Sequence, residues 1–470
     1  MRQTQALLRV RSFFSLLKEA IVGKENTYTS GSLRRAIFLL AVPMILEMMM
    51  ESLFAVVDIY FVSELGKAAV AAVGLTESML TIVYSLAMGI TMAASAMVAR
   101  RIGEEDPKGA SITAVQGMIF AGMLSLVISI VGFVFAKDLL RLMGATPEVI
   151  EIGHGYTQIM LGSNFVITYL FMINGIFRGA GNAAMAMRSL WLANILNIIC
   201  CPIFIFGVGP IPAFGLEGAA IATLIGRGSG VLYQLYHLFD GKGKIKIVGA
   251  YFKPKWDIIL QVLKIGASGA GQFLINSASW IILIRIIAQF GEDAIAGYTI
   301  GIRMVIFCLM PAWGLANAGA TLVGQNLGAQ QPERAEQSVY RVALYNGALL
   351  GIMSIILVAF AHPIIHFFVS DPNVVENAVT CLRVVSAGLL FYAFGMSMMQ
   401  AFNGAGDTRT PMIINIFGFW LLQIPLAYAL ANWLALGPLG VYLAIGIAET
   451  LIAVAAFIVF KRGKWKLVKV

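Results

Sequence analysis

The sequence predicts an all-α integral membrane protein of twelve transmembrane helices, arranged as two pseudo-symmetric six-helix bundles. Three observations predict it: the apolar content, the number of segments long enough to cross a bilayer, and a repeat of the first half of the chain in the second. Of 470 residues, 59% are hydrophobic and only 12% charged, with mean hydropathy +0.85. That is more apolar side chain than one water-soluble core buries.

A spanning helix needs roughly 20 mostly apolar residues. About twelve segments qualify, at 36–62, 71–98, 113–136, 150–175, 187–208, 216–239, 258–288, 296–322, 339–361, 377–401, 411–434 and 439–460. Residues 1–32 precede them and read as a basic amphipathic segment on the membrane surface, with Leu7, Leu8, Phe13, Phe14, Leu16 and Leu17 set among Arg9, Arg11 and Lys18. No signal peptide is recognisable, because the apolar runs there are short and interrupted by charge. The first bundle is then 33–239, the Lys-rich linker 240–257, the second bundle 258–461, and a basic tail 462–470.

Charge sets the orientation, because loops that stay in the cytoplasm retain Lys and Arg. About 25 of the 33 fall on the side shared by both termini, among them Arg34, Arg35, Arg100, Arg101, Arg178, Arg188 and Arg334. The opposite loops hold about three, Lys67, Lys137 and Arg141, beside Glu64, Glu148, Glu292 and Asp293. Both termini are therefore expected in the cytoplasm of a multi-pass cell-membrane protein. The net charge of +9 is this topological signal, which leaves no need for a nucleic-acid partner. Cys200, Cys201, Cys308 and Cys381 all lie in apolar spans and show no metal spacing.

Sliding the chain against itself by about 225 residues aligns several separated blocks. Val98, Gly103, Pro107 and Ala110 meet Val323, Gly328, Pro332 and Ala335; Gly66, Ala69 and Ala71 meet Gly291, Ala294 and Ala296. Pro147 and Glu151 meet Pro372 and Glu376, and RGAGN at 178–182 meets NGAGD at 403–407. Each repeat has an even number of spans, so the two are parallel and related by an axis along the membrane normal. No Gly-x-x-x-x-Gly-Lys-Ser/Thr loop occurs, which excludes direct use of ATP by this chain and makes an ion gradient the default energy source.

Ionisable residues inside a span are costly and therefore functional candidates. On a helix at about 100° per residue, Glu47, Glu51 and Asp58 share one face of the first span. At the 225-residue offset they map to Gln272, Asn276 and Leu283, so a carboxylate site is expected in the first bundle without a copy in the second. Asn164, Asn194, Asn197, Thr223 and Gln423 are polar groups that supply either oxygen ligands or helix-to-helix hydrogen bonds. Gln272, Asn276, Asn164 and Met172 are candidates for the wall of a substrate cavity. Arg285 and Arg303 lie near span ends, where such side chains snorkel. His362 and His366 are four apart but have no third ligand in view, and Glu449 is a further acid in the last span.

These residues resemble the multidrug and toxic compound extrusion (MATE) family. The resemblance covers about residues 33 to 460: LAVPMI…VVDIYFVSELG (39–66), the Gly–Pro loop after span two, RGAGN and NGAGD, NILNIICCPIFI (194–205) and GLEGAAIAT (215–223). It implies two bundles forming a V around a central cavity, and export of cationic, amphipathic small molecules in exchange for protons or sodium ions. It also implies that Asp58 matches the acid that binds the coupling cation, with Asn197 and Thr223 as polar partners. The departure is Cys201, before Pro202, where members with a second carboxylate have Asp. Its loss serves sodium less well, since hard cations prefer oxygen ligands, and Glu51 or Glu47 are the neighbours placed to compensate.

The expectation is therefore a non-enzymatic, monomeric antiporter in contact with membrane lipids, needing no cofactor beyond its coupling ion, H+ or Na+, with proton favoured. Pro43 is the expected hinge of span one, because a proline removes one helical hydrogen bond. Ion and substrate would compete for one negative charge, as reciprocal linkage requires. The competing readings are a lipid-linked precursor or polysaccharide flippase of the same superfamily, a membrane-embedded enzyme, and a passive channel. The first usually carries about fourteen spans or an arginine-rich cavity, the second needs clustered His, Asp or Cys, and the third a symmetric pore; none of these is evident.

Overall fold

The computed structural model describes residues 14–23 and 26–470. The first part of the basic apolar segment expected at 1–32, including Leu7, Leu8, Arg9, Arg11 and Phe13, lies outside the described residues; the rest includes a short helix, α1, over 14–22. Among the described residues there is no β-strand, only an isolated bridge between Val208 and Ile211. The first half continues with α2 (Leu33–Ser63), α3 (Lys67–Gly103), α4 (Pro107–Val134), α5 (Ala136–Leu142), α6 (Pro147–Gly162), α7 (Asn164–Gly179), α8 (Ala183–Phe206) and α9 (Leu216–Phe239). The second half has α10 (Trp256–Ile287), α11 (Glu292–Gly328), α12 (Pro332–Ala359), α13 (Ala361–Phe368), α14 (Pro372–Ala387) and α15 (Leu389–Ala405). Then come α16 (Arg409–Asn415) and α17 (Ile424–Tyr428), joined and followed by π-helical turns into one span, Arg409–Trp433, and finally α18 (Pro438–Lys461).

Among the described residues ten helices are long and apolar enough to cross a membrane, and the bent pair α14 and α15, which turns by 53° at its break, makes an eleventh span. The sixth segment, α9, is long enough at 24 residues but is diluted by Glu217, Arg227 and Gln234.

The repeat is visible element by element. Gly66 and Gly291, at φ 98° and 101°, each open a 37-residue helix, and Pro107 and Pro332 each open a 28-residue one. Pro147 and Pro372 each open a 16-residue helix. These starts share a cause: proline is tolerated where the amide has no intrahelical partner. At three of them a side-chain oxygen also caps the turn: Asp106 accepts from the Gly109 amide at 2.8 Å, Thr146 from the Val149 amide at 3.4 Å and Asp371 from the Asn373 amide at 2.9 Å.

The halves meet at one end. The N-terminal part of α2 packs on the C-terminal part of α11, where a Cβ on Gly314 would lie 2.7 Å from the Met44 carbonyl oxygen. The C-terminal part of α3 packs on α10 and α11, where a Cβ on Gly103 would lie 2.0 Å from the Gln325 carbonyl oxygen. Pro43 sits in this buried crossing, and α2 passes through it as one helix. Farther along α2 the side chains of Leu53, Val56 and Tyr60 are exposed, as is Phe307 on α11, so the halves diverge towards the other end as a V.

Both described termini lie at the joined end and bind it together. The Tyr28 amide donates to Gln325 Oε1 at 2.9 Å, Arg334 donates to the Ser30 carbonyl at 3.0 Å, and Lys244 donates to Thr27 at 2.9 Å. Burial pushes the Tyr28 phenol up to about 12, and its hydroxyl donates to the Gly181 carbonyl at 3.3 Å. From the C-terminus, Lys466 pairs with Glu336, and Arg100 donates to the Val468 carbonyl.

Candidate functional site

Polar side chains inside the first half line up along the face of α2 that packs against the parallel helix α8. The register is set by three contacts. Trp191 Nε1 donates to the Leu46 carbonyl at 3.0 Å, Asn194 Nδ2 to Glu51 Oε2 at 3.0 Å, and Cys201 Sγ to Asp58 Oδ1 at 3.8 Å. Glu51 to Asp58 and Asn194 to Cys201 are both seven-residue steps, two helical turns, so both helices keep one face towards the other.

The three carboxylates are spread over roughly 16 Å of helix, at 1.5 Å per residue, and have different partners. Glu47, nearest the joined end, is fully buried and pairs with Arg178. Asn174 also donates to it at 3.3 Å and in turn accepts from Ser189 and Gln234. Glu51 pairs with Arg227 of α9 at 3.1 Å. Arg227 is 3% exposed, and its guanidinium lies 5.2 Å from the ring centre of Phe54 and 5.9 Å from that of Phe171, a cation–π setting. Asp58 has no Lys, Arg or His nitrogen within 4.0 Å among the described residues. Glu77 on α3 is within electrostatic reach of it and likewise forms no ion pair among the described residues.

Asn197 and Thr223 do meet, Nδ2 donating to Oγ1 at 2.9 Å across α8 and α9, while Asn197 Oδ1 is buried and has no partner among the described residues. Asn197 is one turn from Cys201, but the described contact of Asp58 is with the cysteine. The structure thus collects all six expected residues in one bundle as separate pairings, with Glu47 and Glu51 each met by a guanidinium.

The expected cavity wall divides. Asn164 is fully buried at the break between α6 and α7, where it donates to Ser129 at 2.8 Å and to the Leu161 carbonyl at 2.8 Å. Met172 is fully buried among core side chains and fills the space beside Gly117. Both pack the first bundle instead of lining an opening, because the helix break and the missing Cβ leave gaps that only these side chains fill. Gln272 is also buried, donating to Asn403 Oδ1 at 3.0 Å; Asn403 donates to Gln400 at 2.8 Å and Gln400 to Asn317 at 2.6 Å. Asn403, Gln400 and Asn317, but not Gln272 itself, border a cavity of about 40 Å³ between the halves, together with Arg178. Asn276 is half-buried and accepts from Trp280 Nε1 at 2.6 Å.

Sequence reasoning missed Arg227 and the pairing of Arg178 with Glu47. Arg227 sits inside the span expected at 216–239, where an ionisable residue in an apolar run is the same signal that marks Glu47, Glu51 and Asp58. Arg178 lies at the end that carries both described termini, as its charge count implies, but it is 8% exposed on the last turn of α7 and turns inward to Glu47. His362 and His366 face each other at 5.9 Å between ring centres, and no group of three metal-ligating side chains occurs among the described residues.

The MatE family model matches this chain twice, over residues 43–203 and 269–429, together more than half of its length. A relative from Thermotoga maritima, the probable multidrug resistance protein NorM, is 26% identical over 438 residues, covering 92% of this chain and 93% of its own. The FAD transporter of Shewanella oneidensis is also 26% identical, covering 92% and 95%. A solved transporter of the MOP superfamily from Pyrococcus furiosus, described as having a binding pocket of reverse polarity, superposes with TM-score 0.87 at 28% identity, covering 93% of this chain and 98% of that one. With the family model matched in both halves and the two-bundle V shared with solved members, the chain belongs to the MatE family of multi-pass membrane transporters.

Proposed function

We propose that this protein is a secondary active exporter of amphipathic small molecules, cationic ones foremost, that exchanges them for protons by alternating access with both termini in the cytoplasm. One observation carries the proton over sodium. Asp58 is a span-interior carboxylate whose contact is a thiol; of the acids near it, Glu47 and Glu51 are engaged by Arg178 and Arg227, which leaves Glu77 as the one other carboxylate within electrostatic reach among the described residues. A sodium ion needs several oxygens gathered around it, whereas a proton needs one carboxylate.

In this reading the joined end faces the cytoplasm and the open end faces outward, where protons reach Asp58. Protonation removes the negative charge that holds a cationic substrate. Substrate and proton are thereby coupled through one group, each lowering the affinity for the other by the same factor. Pro43, within the crossing of α2 and α11, is the position at which α2 would bend when the joined end opens.

Two further facts bear on the substrate. Multidrug resistance is the name of one relative and FAD transport that of another, and the first bundle holds the two buried guanidiniums of Arg178 and Arg227. An anionic substrate drawn to Arg227 is the second reading these support.

Efflux from exporter-deficient cells tests both. Cationic and anionic fluorescent dyes are loaded, and their gradient-dependent loss is followed for the wild type and Asp58→Asn. Loss of cationic-dye efflux in the variant is expected. Unimpaired efflux by Asp58→Asn would remove the residue from the mechanism, and a preference for anionic dyes would favour the second reading. Efflux that requires sodium at a fixed proton gradient would overturn proton coupling.

A further inference from the structure

The second half carries one acid deep in a span that the account above does not use. Glu449, itself half-buried, lies midway along α18 beside the stripe formed by the buried residues Tyr442, Ile445, Ile452 and Ala456, on the side of the helix turned towards the bundle. Among the described residues no basic nitrogen lies within 4.0 Å of it, and no group hydrogen-bonds to it. Tyr392 of α15 is the titratable group that faces it. Charged groups on the other elements packed against α18, which are Glu376 and Arg383 on α14, Asp257, Lys264 and Arg285 on α10, and Arg409 on α16, form no ion pair with it.

The repeat gives this position a counterpart. α9 and α18 both start after a glycine in a left-handed conformation, Gly215 at φ 56° and Gly437 at φ 59°. Three residues on, each has a glycine that packs against the preceding span, Gly218 on Phe204 and Gly440 on Ala431. Counted from these starts, Glu449 occupies the position of Arg227, each twelve residues past its glycine. A uniform slide of 225 hides this, because the connection between the last two spans is shorter in the second half. The same place in the two bundles thus holds a guanidinium paired with an acid in one, and an acid with no cation in the other. The neighbouring span is π-helical over Ile416–Gln423 and Ala429–Trp433, an irregularity found frequently at functional sites.

We propose that Glu449 is a second proton-exchange site, so that ion coupling is shared between the bundles. A carboxylate set among apolar side chains without a cation keeps its proton or must be reached by water. With the Tyr392 phenol as the titratable group facing it and no second carboxylate beside it among the described residues, a hard metal ion is poorly served. The step is the release of the carboxyl proton to water when this wall is wetted, and its return from water; only the O–H bond changes. The proposal rests on the proton-coupled reading of the fold but uses a different residue from Asp58.

The test is infrared difference spectroscopy of the purified full chain between acid and alkaline pH, with protons released counted by an indicator in weak buffer. Wild type, Glu449→Gln, Glu449→Asp and Asp58→Asn are compared. Glu449→Gln is expected to lose one protonated-carboxyl band and release about one proton fewer, while Asp58→Asn loses a different band. Glu449→Asp keeps the band but shifts it, which tests the assignment even if the amide variant does not fold. A Glu449→Gln protein with the full wild-type bands and proton count, or an Asp variant without a shift, would overturn the proposal. Asp58→Asn with an unchanged spectrum would sink the Asp58 reading alone.

Discussion

At the scale of single residues, what separates the carboxylates of α2 is their company. Glu47 and Glu51 are neutralised by guanidiniums, so their burial is tolerable only while Arg178 and Arg227 remain. Removing one partner of such a pair leaves an uncompensated charge and costs about 3–5 kcal/mol. Arg227→Ala should therefore lower thermal stability markedly, and adding Glu51→Gln should restore most of the loss, as a double-mutant cycle on the purified protein would register. No rescue would mean that the 3.1 Å pair contributes nothing specific. Cys201 offers the converse experiment, since its sulfur is 3.8 Å from Asp58. Cys201→Asp puts a second carboxylate beside the first, and transport in vesicles should become sodium-sensitive; indifference to sodium would show that oxygen ligands are not what the wild-type site lacks.

At the scale of elements, the joined end is held by chain segments as well as by helices. The strap from Tyr28 to Ser30 connects to Gly181 in the first half and to Gln325 and Arg334 in the second. Opening that end must release it. Arg334→Ala together with Tyr28→Ala should shift the resting population towards the opened form, read as a longer distance between spin labels on the turns at Glu104 and Ala329. An unchanged distance would make the strap a bystander. Gly103→Val is predicted to act more severely, because its Cβ would meet the Gln325 carbonyl at 2.0 Å and the α3–α11 contact must part. Reduced protein yield and loss of the short label distance are the expected readouts.

At the scale of the whole molecule, helix number and repeat were legible because bilayer thickness and internal homology are written in composition and spacing. The turns at Gly66 and Gly291, and the starts at Pro107 and Pro332, carried the 225 offset into structure without change. The site was legible only in part. Asp58, Cys201, Asn197 and Thr223 announce themselves as polar groups in apolar runs, but which acid keeps a free charge depends on Arg178 and Arg227, more than 120 residues away in sequence. Asn164 and Met172 illustrate the same limit, since a polar or adaptable side chain reads alike whether it lines a cavity or fills a gap. Glu449 became a counterpart of Arg227 only when the starts of the last helices were superposed, because a shortened connection breaks the register of the repeat.

The central claim is that substrate leaves in exchange for a proton bound at Asp58. Reconstitution in sealed vesicles carrying a pH indicator tests it most directly: substrate is added on one side with no ion gradient imposed, and proton movement is followed. Wild type should move protons opposite to the substrate, and Asp58→Asn should bind substrate yet lose that movement. Proton movement of wild-type size in Asp58→Asn, or none in the wild type while substrate is transported, would contradict the account.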